Sequence, residues 1–194
     1  YLGKKDNGRV YFGKEGYLIE KHSEEDIDKE LINKNISYIK KFIEEIEEVV
    51  SRDNINMIIA PTIDGVQKDK LPDYAEVYNQ EELLSSLEES FSHINYIDVK
   101  EALERNKDKY IYYRTDHHWT TYGAFLAYRE WCDNKGIAVD INDYNIQTVT
   151  DDFLGTTYAQ ANLLLGTPDT IDIYEPVEKV DYTLEFNLGE KVTD

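Results

Sequence analysis

Ile55-Asn56-Met57-Ile58-Ile59-Ala60-Pro61 is the stretch on which the fold turns. It is short, rich in β-branched residues and closed by proline, which predicts a buried strand rather than a helix. Thr62 to Tyr78 follows as a loop. Asn79 with Glu82 then opens a helical pattern that places Leu83, Leu84, Leu87 and Phe91 on one face, and Ile94 to Val99 reads as the next strand. The unit is strand, helix, strand. Lys100 to Asn106 predicts a short helix, Tyr110 to Tyr113 a further strand, and Thr120 to Asn134 a helix stopped by Gly136. Strands alternating with helices imply an α/β fold, with a mostly parallel sheet and helices on both faces.

Upstream of that unit, Ser23 with Asp26 reads as the start of a long amphipathic helix. Ile32, Ile36, Ile39, Ile43, Ile46 and Val50 recur at alternating steps of four and three, which predicts one core-facing stripe. Before it, Arg9 to Gly13 and Tyr17 to Glu20 flank a glycine-bounded turn and predict a hairpin at the edge of the fold. Beyond Gly136 the texture changes. Asn145 to Thr150, Thr170 to Glu175 and Tyr182 to Asn187 alternate apolar and polar residues, predicting short antiparallel strands. The expected division is therefore an α/β unit over 1–136 and a small β-rich extension or insertion over 137–194.

The chain has 194 residues with 40 Asp+Glu against 21 Lys+Arg, a net charge of −19. Binding to phosphate backbones rests on cations that release counterions, so the charge argues against nucleic acid as a partner. One cysteine, Cys132, excludes an intramolecular disulfide and a cysteine-based zinc cage. No apolar run approaches the ~18 residues that a membrane span needs. A first residue of tyrosine and a last segment without a capped element lead us to expect a piece of a longer polypeptide.

Chemistry is concentrated in Tyr112-Tyr113-Arg114-Thr115-Asp116-His117-His118-Trp119-Thr120, which holds two of the four histidines. The segment lies between an expected strand and a helix, where α/β proteins build their sites. An Asp that orients a His needs its carboxylate on one imidazole nitrogen, leaving the other free to take a proton. Residues i and i+2 diverge by about 200° on a helix but point the same way in an extended segment. Asp116 and His118 can therefore pair only if they precede the helix, and Thr120 is a suitable cap for a helix starting just after it. Structural alternatives stand beside each assignment: Asp116 as a capping acid, His117 as a loop residue, Trp119 as a core plug and Arg114 as an ion-pair partner. A metal site at Asp116, His117 and His118 is a further alternative, disfavoured because adjacent histidines rarely converge on one ion.

Asp116-His117-His118-Trp119 resembles the signature of the DHHW protein family. Asp116-x-His118-Trp119 is similar to the Asp-x-His-Trp motif of alginate O-acetyltransferase-like proteins of the SGNH (GDSL-like) hydrolase superfamily. Val10-Tyr11-Phe12-Gly13-Lys14-Glu15-Gly16-Tyr17-Leu18 is similar to the opening of those proteins, with Glu15 in place of the commoner Asp. The resemblance implies an SGNH/flavodoxin-like sheet and an Asp-His-Ser triad, with Asp116 as orienter and His118 as general base. Tyr113, Arg114, His117 and Trp119 are then the expected substrate contacts, an aromatic floor for a sugar and a cationic donor near a developing oxyanion. No metal and no cofactor are implied.

The implied activity is O-acyl transfer to, or ester hydrolysis on, a cell-envelope or secreted polysaccharide. A membrane-bound O-acyltransferase would be the acyl donor, and the protein would lie outside the cell membrane, anchored through a segment not among these residues. The net charge suits an uncharged or cationic glycan. One departure is plain: no serine follows Trp119, and no Gly-x-Ser-x-Gly elbow exists. Ser85, Ser86 and Ser90 fall on an amphipathic helix, and Cys132 reads as a packed residue. Either the nucleophile lies beyond this sequence, which the uncapped last segment Gly189 to Asp194 leads us to expect, or the chain is a non-catalytic glycan-binding or envelope-interaction module.

Overall fold

The computed structural model describes residues 3–179. β1 (Val10–Phe12) and β2 (Leu18–Glu20) form an antiparallel hairpin with Val10 opposite Glu20 and Phe12 opposite Leu18. Its turn needs positive φ at Glu15 (56°) and Gly16 (83°), which is why a glycine closes it. The hairpin is not peripheral, as the sequence led us to expect. Val10, Leu18 and Ile19 are almost wholly buried, because residues from far along the chain cover them.

α1 (Lys29–Ile46) starts later than the Ser23 reading placed it. Ser23 and Asp26 make their capping box around a short 3₁₀ turn, and Asp28 caps α1 by accepting from the Leu31 amide at 2.9 Å. Of the predicted stripe only Ile43 is buried, while Ile39 and Val50 are exposed. The stripe is longer than the narrow sheet available to cover it.

β3 (Asn56–Ile58) pairs in parallel with β4 (Asn95–Ile97), joined through α2 (Ile63–Val66) and α3 (Gln80–Ser90). This is the strand-helix-strand unit of the sequence reading, with shorter strands. β3 is not a buried strand, since Asn56 and Ile58 are exposed on one face. Nor is 62–78 simply a loop: α2 and a 3₁₀ turn at Lys68–Lys70 lie within it, and all four α2 residues are buried. The other face of β3 and β4 packs Ile55 and Ile94 with Ile43 of α1 and Leu87 and Phe91 at α3. Ile97 points the opposite way, into a second cluster. That cluster holds Leu103 of α4 (Lys100–Glu104) and Leu126 and Ala127 of α5 (Thr121–Asn134).

A wide parallel sheet does not form among the described residues. The three sheets there have two strands each, and β3–β4 is the parallel one. Tyr110 to Tyr113 is not a strand; it folds back on itself instead, through a single bridge between Tyr112 and Trp119. The C-terminal part contains β5 (Tyr144–Phe153) and β6 (Asp169–Pro176), antiparallel as expected, with α6 (Thr156–Ala161) between them. Phe125 of α5 packs its ring against Tyr144 and Tyr174 of this hairpin. The predicted strand Tyr182 to Asn187 lies outside the described residues. No helix among the described residues is long and apolar enough to cross a membrane.

Candidate active site

The motif forms a tight loop. Thr120 donates its amide to Ile111 O (2.9 Å), Tyr113 donates to His118 O (3.2 Å), and residues 114–118 bend between these closures. Thr120 caps α5, accepting from the Gly123 amide at 3.2 Å. The helix therefore begins after the motif, as the i, i+2 argument requires. β2 supports the loop from below, with Leu18 N donating to Arg114 O at 2.7 Å.

Asp116 and His118 meet. Asp116 Oδ1 lies 2.5 Å from His118 Nδ1 and also accepts the His118 amide at 3.0 Å. Asp116 is 6% exposed, whereas the His118 side chain is 65% exposed. The second carboxylate oxygen is held from a distance of 40 residues: Oδ2 accepts from both the amide and the hydroxyl of Thr156, each at 2.9 Å. Burial opposes ionisation of Asp116. The hydrogen bonds from Thr156 and His118 outweigh it and hold the carboxyl down to about 2. An ionised Asp116 makes Nδ1 of His118 the protonated nitrogen. Nε2, which has no partner among the described residues, is left as the acceptor facing solvent.

His117 takes a different direction. Its Nδ1 is 3.0 Å from Thr156 Oγ1 and 3.8 Å from Glu20 Oε1, and its ring centroid lies 3.9 Å from that of His118. Asp116, His117 and His118 can each offer a metal one ligand atom, all within 4.8 Å of one another. Both Asp116 oxygens are, however, already occupied by the donors above. The donor set thus suits an oriented imidazole better than a metal cage.

The remaining sequence-selected residues are engaged elsewhere. The Arg114 guanidinium lies over the Tyr110 ring (4.6 Å) and the Tyr17 ring (5.6 Å), and 3.9 Å from Asp169 Oδ1. Tyr113 makes edge contacts with Tyr110 and Phe153. Trp119 is half-buried against the core cluster of Ile97 and Leu103. The structure brings Asp116, His117 and His118 together and gives Tyr113, Arg114 and Trp119 packing partners of their own. Among the other candidates, Cys132 is fully buried in α5, and Ser86 points its hydroxyl back to Leu83 O in α3.

Two residues of the site were not foreseen. Thr156 is the outer clamp on Asp116, and Gly155 makes room for it. A Cβ on Gly155 would fall 2.4 Å from Asp116 Cβ and 2.5 Å from its Oδ2, so no other residue fits while Asp116 keeps its place. The available signal was Gly155-Thr156-Thr157 at the end of an alternating run, a glycine followed by hydroxyl residues where a strand gives way to a helix.

Comparison with known proteins finds the same overall fold in several solved structures. A DHHW-family protein from Eubacterium siraeum is similar in structure, with a TM-score of 0.66 and 24% identity, over 87% of this chain and 57% of that one. PatB1 of Bacillus cereus, solved with a sulfonyl adduct, gives 0.68 and 18% over 90% and 59%. The O-acetyltransferase domain of Pseudomonas putida AlgJ gives 0.65 and 17% over 88% and 66%. The chain thus spans less than two thirds of each of these relatives and shares their fold. No curated protein sequence matches it. The model of the DHHW protein family matches residues 26–190, which include the whole motif loop together with Gly155 and Thr156, and the chain belongs to that family.

Proposed function

We propose that this chain is the orienter and base portion of an O-acyltransferase or esterase acting on an extracytoplasmic polysaccharide. The observation that carries the reading is the 2.5 Å contact between buried Asp116 and exposed His118, which leaves Nε2 free. In the reaction, Nε2 of His118 takes the proton of a serine hydroxyl as that oxygen attacks the acyl carbonyl. Asp116 stabilises the imidazolium that results. The proton then passes to the leaving oxygen, and a glycan hydroxyl or water, deprotonated by the same nitrogen, releases the acyl group. Kinship to the O-acetyltransferase domain of AlgJ supports this chemistry. A sulfonyl group captured on PatB1 is the kind of adduct that a nucleophilic residue forms.

The serine is supplied from outside these 194 residues, since none follows Trp119. The same absence favours a second reading, a glycan-binding module of this fold without turnover. Hydrolysis of small acetyl esters separates the two. The 194-residue chain should match its His118→Ala variant, and a longer natural polypeptide that continues into a serine-bearing strand-to-helix turn should exceed its own His118→Ala variant. His118-dependent turnover by the short chain would contradict an external nucleophile, and an inactive long chain, tested also with a glycan acceptor, would favour the binding module.

A further inference from the structure

Asp169, the first residue of β6, is fully buried. A carboxylate removed from water is costly unless donors replace the lost solvent, and here four do. Oδ1 accepts the Arg114 amide at 2.8 Å and the Tyr110 hydroxyl. Oδ2 accepts the Thr115 amide at 2.8 Å and Thr115 Oγ1 at 2.5 Å. Three of these donors belong to the two residues immediately before Asp116. Thr115 continues the connection: its Oγ1 accepts from Gly155 N (3.0 Å) and its carbonyl accepts from Tyr158 N (2.9 Å). Asp169 therefore binds the motif loop to the same strand-to-helix turn whose Thr156 clamps Asp116. Burial, then the bond to Asp169, push the Tyr110 hydroxyl well above its ordinary range and keep it a donor.

We propose that Asp169 is a positioning residue of the Asp116–His118 pair, a buried latch that sets the Arg114–Thr115 backbone so that Asp116 faces His118 Nδ1. The inference rests on reading that pair as the working dyad, but its test needs neither nucleophile nor substrate. Failure of the latch and failure of acyl transfer are therefore separate results.

The test follows the downfield proton resonance of the short His118 Nδ1–H···Asp116 bond by NMR in the 194-residue chain, with thermal unfolding measured alongside. In Asp169→Asn the resonance should vanish at temperatures where the protein is still folded. Thr115→Val should weaken or remove it, and Thr115→Ser, which keeps the hydroxyl, should restore it. Phe91→Ala, destabilised in the other cluster, should keep it, which separates positioning from general loss of stability. An unchanged resonance in folded Asp169→Asn would overturn the proposal. Where Asp169→Asn does not fold, Thr115→Val decides by the same two outcomes.

Discussion

The parallel pair β3–β4 and the loop 112–119 are ordered by different means. The first is shaped by apolar burial, with Phe91 and Ile94 on one face and Ile97 on the other. The second has almost no secondary structure and is shaped by two buried carboxylates, Asp116 and Asp169, which gather amides and hydroxyls from the loop and from the α6 turn. Burial forgives small errors of geometry, because dispersion and hydrophobic contacts are non-directional. A carboxylate with fixed donors does not, so the loop holds an imidazole at one distance.

The largest effect that this contrast predicts lies in the apolar region. Phe91 is fully buried, and Phe91→Ala should cost about 3–5 kcal/mol in denaturant unfolding. The Asp116–His118 contact should survive in the folded fraction. Loss of that contact together with the core would mean that the two regions are one cooperative network.

Acid should act on the loop instead. Asp116 is held to about 2 against an ordinary value of 3.8, so its contribution is fully present above pH 3.8 and is lost as pH falls through about 2. Unfolding followed between pH 5 and 2 should show a loss of up to about 2 kcal/mol, reduced by solvent screening at the rim. Asp116→Asn should flatten that part of the profile. A profile unchanged by the substitution would show that the carboxylate is not preferentially ionised in the folded state.

A smaller effect is expected at the outer clamp. Thr156→Val keeps the shape and the backbone donor but removes one hydroxyl, which should cost about 1 kcal/mol and raise the Asp116 pKa toward its ordinary value, read by carboxyl-carbon NMR titration. No movement of that titration would assign the clamp to the Thr156 amide alone.

The same contrast explains what the sequence disclosed. Periodicity revealed the helices and the strand-helix-strand unit, because apolar burial leaves a repeating mark at Leu83, Leu87 and Phe91. It overstated α1, which ends at Ile46: Ile39 on it and Val50 beyond it keep the repeat yet are exposed. Asp116 and His118 were legible from residue type and spacing, since an i, i+2 pair ahead of a capped helix can meet. Their partners were not. Gly155, Thr156 and Asp169 stand 39 to 53 residues beyond Asp116, and a lone Asp at 169 in a chain this acidic carries no local sign that it is buried. Tyr110 to Tyr113 misled for a related reason: its tyrosines satisfy strand propensity, yet the backbone after them turns inward to meet carboxylates.

The account stands most directly on whether His118 activates a nucleophile. Covalent labelling by a sulfonyl fluoride measures this in any natural polypeptide that joins this sequence to a serine-bearing strand-to-helix turn. Labelling should fall on a serine and slow by about 10²–10⁴-fold in His118→Ala, the range expected for loss of a positioned general base. Equal labelling rates with and without His118, or a label carried on Thr156 or Cys132, would contradict it.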